Sequence, residues 1–345
     1  MTATASTPQT PSANRTPLRW GLIGPGRIAR RFAQGLQAVP DARLVAVAGR
    51  NRRHAETFAR EWAPADGAVR LFESAEALAA DADIDAVYIA NPHPFHADAV
   101  RACLRADKPV LCEKPLTPTA AEAAELIALA QERGVFLMEA LWTRLLPAYA
   151  QARAWLDAGA IGRVRSLRSS FCFDVPYDPA SRLFDPALAG GTLLDIGIYN
   201  LSMSQWVLRQ EPTHFEVEGE LSASGVDRRV SGVLHYAAGE RSEFLCAFDR
   251  DAPNDLTIEG DAGRIVTGRG FWEAPSLRLE RPGEPVQSVE APFRASGFEY
   301  EIEEAMRCIR AGQVESAAIP HADTLATLRL IDAIRARLGV RYPFE

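Results

Sequence analysis

Lys114 and Tyr199 are the residue types of a proton-transfer pair. Lys114 lies in Glu113-Lys114-Pro115, directly after Pro109–Cys112, an apolar run that reads as a buried strand. Tyr199 closes Gly190-Gly191-Thr192-Leu193-Leu194-Asp195-Ile196-Gly197-Ile198-Tyr199, which reads as the opening of a helix. There Asp195 and Tyr199, at i and i+4, share one face. A lysine beside a tyrosine holds the phenol partly ionised, and such a phenol exchanges a proton with an alcohol or carbonyl. The competing role of a helix-borne tyrosine is core packing, and that of Asp195 is capping or a solvated position.

A second group of residues is suited to a dinucleotide. Leu22-Ile23-Gly24-Pro25-Gly26-Arg27-Ile28-Ala29 fits G-x-G-x-x-A after a strand and at a helix start. Gly24 allows the tight turn, Gly26 lets the backbone approach a pyrophosphate, and Ala29 permits close helix–strand packing. Arg27 and Ile28 open the helix, whose free N–H groups and dipole favour phosphate. The following strand ends in Gly49-Arg50-Asn51-Arg52-Arg53, without the carboxylate that an NAD-preferring site places there. Arg50, with Arg53, is suited to a 2′-phosphate, so NADP(H) is favoured over NAD(H). The alternative is that these arginines merely start an exposed helix.

The elements that must position these residues alternate. Arg19–Ile23, Leu44–Ala48, Ala86–Ala90, Pro109–Cys112 and Val135–Glu139 read as strands. Arg27–Ala38, His54–Trp62, Ala75–Ala80, Phe95–Ala106 and Thr119–Arg133 read as helices, the last capped by Thr117 or Thr119. Such alternation implies an α/β, doubly wound parallel sheet of the Rossmann type over residues 18–140. Residues 141–345 change rhythm. Pro147–Ala158, Gly191–Leu208, Glu299–Arg310 and Asp323–Leu338 read as helices, Arg163–Asp174 as a long strand. Alternating runs from Phe215 to Leu279 predict an α+β domain with a large, mostly antiparallel open sheet. Asn91 and Pro92 follow a strand at its carboxyl end, where ligands sit in open parallel sheets. Trp142 and Arg144 follow another and would face the cleft, an aromatic surface for a ring and a guanidinium for hydroxyls, the alternative for Trp142 being simple packing at the domain interface.

The 345 residues carry a net charge of −7 and no lysine- or arginine-rich run, which argues against nucleic acid. No apolar stretch approaches the roughly 18 residues of a membrane span. Residues 1–17 are rich in Thr, Ser, Ala and Pro and read as a disordered tail, not a signal peptide. Five widely spaced cysteines predict neither a disulfide framework nor a zinc site, and no metal is expected. Cytoplasm is the expected location.

Four motifs in order resemble the glucose–fructose oxidoreductase/inositol dehydrogenase (Gfo/Idh/MocA) superfamily, from Leu18 to Pro343. They are Gly24-Pro25-Gly26-Arg27-Ile28-Ala29, Asn91-Pro92-His93-Pro94-Phe95-His96, Glu113-Lys114-Pro115 and Gly190-Gly191-(x)3-Asp195-x-Gly197. Met138–Arg144 and Leu194–Tyr199 resemble the dimeric dihydrodiol dehydrogenases and the NADP-dependent D-xylose dehydrogenases. Many superfamily members carry histidine where this chain has Tyr199, a departure that points to the sugar- and diol-oxidising branch.

The resemblance implies that Lys114 reaches the nicotinamide ribose and the substrate hydroxyl. Tyr199 would be the base in oxidation and the acid in reduction. Asp195 would orient the lysine or bind a second hydroxyl. Glu113 would contact the ribose or hold Lys114. His96 would touch the nicotinamide end, or else serve as a capping or core residue. The peptide before Pro115 is often cis in relatives. Arg182 and Phe184 would complete the substrate pocket. The expected activity is hydride transfer between NADP and an aldose or cyclic diol, at CH–OH or trans-dihydrodiol CH–CH. Alternatives are a glucose–fructose oxidoreductase-like enzyme with tightly bound NADP and a non-catalytic NADP(H) sensor. The apolar content of Val230–Ala237 and Glu243–Phe248 suggests a homodimer or tetramer formed through the open sheet face.

Overall fold

The computed structural model describes residues 16–65 and 67–345, so the expected tail lies, up to residue 15, outside the described residues. Its first sheet has six parallel strands: β1 (Leu18–Ile23), β2 (Ala42–Ala48), β3 (Arg70–Phe72), β4 (Ala86–Ile89), β5 (Val110–Glu113) and β6 (Leu137–Ala140). Their order is β3-β2-β1-β4-β5-β6. The direction of winding reverses between β1 and β4, which opens a crevice beyond their carboxyl ends. Five helices form the crossovers: α1 (Arg27–Gln37), α2 (Arg52–Glu61), α3 (Ala75–Ala79), α4 (His96–Arg105) and α5 (Ala120–Arg133).

Local chemistry fixes most of these starts. Asn51, Ser74 and Thr119 cap α2, α3 and α5 by accepting from the backbone N–H three residues on. Helix α4 has no such cap, and neither has α1. The cap residue of α1 is Gly26, with no side-chain cap and no acidic residue in the first turn. Strand β3 is absent from the sequence-based expectation, because three residues at a sheet edge are too few for a periodic signal.

The rest of the chain builds α6 (Pro147–Asp157), β7 (Val164–Cys172), a π-helical turn (Leu193–Gly197) and α7 (Ile198–Leu208). Then follow β8 (His214–Leu221), β9 (Asp227–His235), β10 (Arg241–Ala247), β11 (Leu256–Gly260), β12 (Arg264–Thr267), β13 (Ser276–Glu280) and β14 (Gln287–Glu290). They form an eight-stranded sheet in the order β14-β13-β12-β11-β7-β10-β9-β8, antiparallel except where β7 meets β10. Helices α8 (Glu299–Arg310) and α9 (His321–Leu338) return to the first sheet, α8 against α1 and α9 between α5 and α7. Helix α7 is buried on nearly every side, its polar residues Asn200, Ser202 and Ser204 included.

The open sheet face corrects one expectation. Val230, Leu234, Phe244 and Cys246 are buried on the helix-covered side. The alternate positions, which form the free face, include Arg229, Ser231, His235, Arg241 and Glu243, with Val233 and Leu245 half-buried among them. That face is charged and polar, not apolar.

Under the crevice, Phe32 of α1 stacks on Tyr88 of β4, ring centroids 3.8 Å apart, with Trp20 of β1 edge-on at 5.5 Å. All three are fully buried. Truncation of Phe32 to alanine is expected to cost about 3–5 kcal/mol, read as a lower denaturation midpoint at unchanged m-value.

Candidate active site

A cleft of about 710 Å³ lies at the switch point, walled by the β1–α1 loop, the ends of β2 and β4, Glu113 of β5 and Lys114 just after it. Two glycines shape it for different reasons. At Gly24, with φ +87°, a Cβ would come within 2.5 Å of Asn91 N, so the fold itself demands glycine. At Gly26 a Cβ would meet nothing closer than Gly24 O at 4.0 Å, so the space belongs to the cleft. Open space above Gly26, beside the uncapped N-terminus of α1, fits a pyrophosphate. Arg27 and Ile28 line the same wall.

Arg50 lies on the wall with its guanidinium over the Phe95 ring, 4.7 Å from the centroid. Arg53 does not line the cleft, because it starts the exposed surface of α2. Asn91 and Pro92 line it. His96 is a clamp. Its Nδ1 lies 2.8 Å from Pro115 O and its Nε2 2.7 Å from Asn91 O, joining two loops of the cleft floor. Burial pulls its pKa down despite these carbonyls. His93 is lowered to about 3 by burial and by His96, and its buried Nδ1 has no hydrogen-bond partner.

At the inner end Lys114 crosses to the second sheet. Its Nζ donates to Asp195 O at 2.5 Å and lies 3.6 Å from Asp195 Oδ1. The peptide between Lys114 and Pro115 is cis. Arg182 donates to Asp195 Oδ1 at 3.1 Å. Burial alone would raise the Asp195 carboxyl, but Lys114 and Arg182 hold it well below the usual range. Tyr199 lies one helical turn on, its ring 5.2 Å from Lys114 Nζ and its Oη accepting from Trp142 Nε1 at 3.1 Å. The expectation that the lysine keeps this phenol ionised is not met. Burial first, then the nearby Glu113, pushes the Tyr199 phenol well above its ordinary pKa, so it carries its proton.

Two buried carboxyls stand behind this group. Glu113 accepts from Tyr88 Oη at 2.5 Å and from Lys114 N at 3.2 Å, and burial raises it. Glu301 of α8 is fully buried, and neither of its oxygens has a hydrogen-bond partner. Burial and the proximity of Glu113 hold it protonated, against the pull of Arg31. Sequence reading missed Glu301. Its signal was a carboxylate on the apolar face of α8, in line with Ala305 and Cys308 at i+4 and i+7.

Three expected pocket residues stand elsewhere. Arg144 is buried away from the cleft, paired with Asp323 at 2.5 Å and donating to Ser202 O at 2.7 Å, because a guanidinium inside the protein must find acceptors. Phe184 packs on Tyr177 and Phe248 and does not line the cleft. Trp142 is a support: its ring lies under the Arg31 guanidinium at 4.4 Å and against Phe298 at 5.0 Å, while its N–H holds Tyr199. An aromatic wall was also missed. Phe171 meets Tyr199 at 5.6 Å and stacks on Trp272 at 3.5 Å, with Phe173 half-exposed beside it.

Residues 18–141 match the oxidoreductase family with an NAD-binding Rossmann fold, GFO_IDH_MocA, and residues 149–266 match the GFO/IDH/MocA C-terminal domain. The chain is 36% identical to trans-1,2-dihydrobenzene-1,2-diol dehydrogenase of Mus musculus over 335 residues, 94% of this chain and 98% of that protein. Among solved structures it resembles KijD10, a 3-ketoreductase from Actinomadura kijaniata in complex with NADP and TDP-benzene. The TM-score is 0.80 at 28% identity, covering 93% and 98% of the two chains. Levoglucosan dehydrogenase, in complex with NADH and levoglucosan, shares the fold, with a TM-score of 0.84 at 22% identity over 94% and 98%.

The Glu301 carboxyl has a raised folded-state pKa, so its burial destabilises the fold increasingly as pH rises above its ordinary value of 4.5. Glu301→Gln is expected to gain stability relative to wild type across that window and to show a constant difference below it. Thermal denaturation as a function of pH checks this.

Proposed function

The chain belongs to the GFO/IDH/MocA oxidoreductase family, and we propose that it is an NADP-dependent dehydrogenase of a cyclic diol or an aldose. The observation that carries the proposal is the placing of Lys114 and Asp195 at the inner end of a cleft that fits a dinucleotide, with the buried Tyr199 ring beside the lysine. Gly24, Gly26, Arg27 and Ile28 would hold the pyrophosphate, Asn91 and Pro92 the nicotinamide half, and Glu113 and Lys114 its ribose. Bound there, the nicotinamide supplies the hydride exchange.

The chain's own groups supply the rest. In reduction, the protonated Tyr199 gives its proton to the carbonyl oxygen, while the Lys114 ammonium stabilises charge developing there. In oxidation, the substrate hydroxyl gives its proton to the Tyr199 phenolate. Asp195 keeps the ammonium aimed and, with Arg182, offers hydrogen bonds to a second hydroxyl. The aromatic pair Phe171 and Trp272 beside Tyr199 suits the apolar face of a ring, such as that of a cyclic diol. The relatives named for trans-1,2-dihydrobenzene-1,2-diol support the same choice.

The NADP preference rests on Arg50. No carboxylate ends β2, and of the acidic residues on that wall Glu73 lies 3.8 Å from Arg52. For assembly as a homodimer or tetramer, the support is three half-buried apolar side chains, Val233, Leu245 and Val266, on the otherwise charged and polar open sheet face.

Absorbance at the reduced-nicotinamide band, with NADP or NAD and a panel of cyclic diols and aldoses, tests the proposal. Turnover with NADP is expected, falling roughly a hundredfold or more in Lys114→Ala. Arg50→Ala should raise KM for NADP and leave that for NAD unchanged. Absence of turnover with either cofactor, together with normal NADPH binding by Lys114→Ala, would overturn the catalytic reading in favour of a sensor. Because the phenol is raised, the phenolate needed for oxidation increases with pH. Oxidation rates are therefore expected to climb without a plateau below the ordinary tyrosine pKa of 10, and a pH profile of kcat checks it.

A further inference from the structure

Outside the cleft, the free face of the second sheet brings together two histidines and a glutamate. His214 on β8 and His235 on β9 are direct cross-strand partners, and Glu216 lies two residues along β8 on the same face. Directly opposed residues of an antiparallel pair have Cβ atoms about 5 Å apart, within reach of each other's side chains. The imidazole rings are parallel, with centroids 4.2 Å apart, and His235 Nε2 lies 3.4 Å from Glu216 Oε1. One ligand atom from each residue lies within 4.8 Å of the other two.

We propose that His214, Glu216 and His235 form a binding site for a divalent transition-metal ion such as Zn²⁺. Two imidazoles and one carboxylate are a zinc-type ligand set, completed by water in the fourth position. His235 Nε2 is buried and has no hydrogen-bond partner, so a ligand atom is present with no other occupation in the fold. The Thr213 hydroxyl lies 3.3 Å from His214 Nδ1 and donates to His235 O at 3.1 Å. It holds one nitrogen of the His214 ring and leaves the other for an incoming ion, the role that an outer hydrogen bond plays at metal sites. The backbone needs no rearrangement, because the strand register already aligns the three positions. Side-chain rotations about χ1 and χ2 suffice to bring donor atoms now up to 4.8 Å apart to the roughly 3.3 Å separation that tetrahedral coordination at ~2.0 Å requires. Arg241, the partner of His235 on β10, places an opposing charge on this face.

The site lies on β8, the edge strand of the sheet, and is separate from the nicotinamide cleft. An ion there ties β8 to β9 at the hairpin's open end. The sequence offered no such signal, because the two histidines lie in different strands and no short metal-binding spacing joins them.

Isothermal titration of the full chain, stripped with chelator, with ZnCl₂ tests the proposal. One ion per chain is expected, with binding lost in His235→Ala and in His214→Ala and retained in His54→Ala. His214 is exposed, so its replacement leaves the core intact, and circular dichroism of both variants controls for folding. Zinc should also raise the melting temperature of wild type and not that of His214→Ala. No uptake at micromolar zinc, or uptake undiminished in both His214→Ala and His235→Ala, would overturn it.

Discussion

One ammonium group stands where the two sheets meet, and it must be paired. Lys114 and Asp195 each keep only 13% of their side-chain surface exposed. At that depth a charge without a partner costs several kcal/mol, and removal of one member of such a pair strands the other. The carboxyl end of β5 and the turn before α7 are therefore bound to the same place. That juxtaposition sets the inner end of the cleft at the switch point of the first sheet and brings Tyr199 beside the lysine. The π-helical turn at Leu193–Gly197 belongs to the same constraint, since it presents both the Asp195 carbonyl and its carboxylate to Nζ.

Around this pair the electrostatics pull in two directions. Asp195 is surrounded by cationic groups and stays ionised. A few residues deeper, Glu113 and Glu301 have mainly each other and Tyr88, and burial keeps them towards their neutral forms. Tyr199 lies between the two environments and follows the deeper one. A neutral phenol with a cation at its ring is prepared to donate a proton. The same arrangement, read from residue types alone, suggests a phenolate, because a sequence supplies the lysine's charge but not the burial that outweighs it.

Much of the fold was legible for a physical reason. The strands of the first sheet are buried on both faces, so they appear as continuous apolar runs, and the Thr119 cap marks the start of α5. Strand β3, short and at an edge, left no such trace. Gly24 was legible because the tight turn there requires glycine, whereas Arg53, read from its charge alone, lies on the exposed surface of α2. Residues whose roles depend on distant partners were not legible. Arg144 satisfies its charge with Asp323, 179 positions away, and so turns from the cleft into the core. Phe171, Trp272 and Glu301 come to Tyr199 through strand pairing and helix return, which no short spacing encodes. The apolar strands β9 and β10 were recognised, but alternation sends their apolar side chains to one face only, and the free face is charged.

Lys114 and Asp195 thus act as one unit. A double-mutant cycle on kcat/KM, with Lys114→Met, Asp195→Asn and the pair combined, tests it most directly. Residues that work as a unit give strongly non-additive losses. The double variant is expected to be no worse than Lys114→Met alone, within about threefold. Losses that multiply, each single variant contributing its full factor in the double, would contradict the account and separate the carboxylate from the lysine's work.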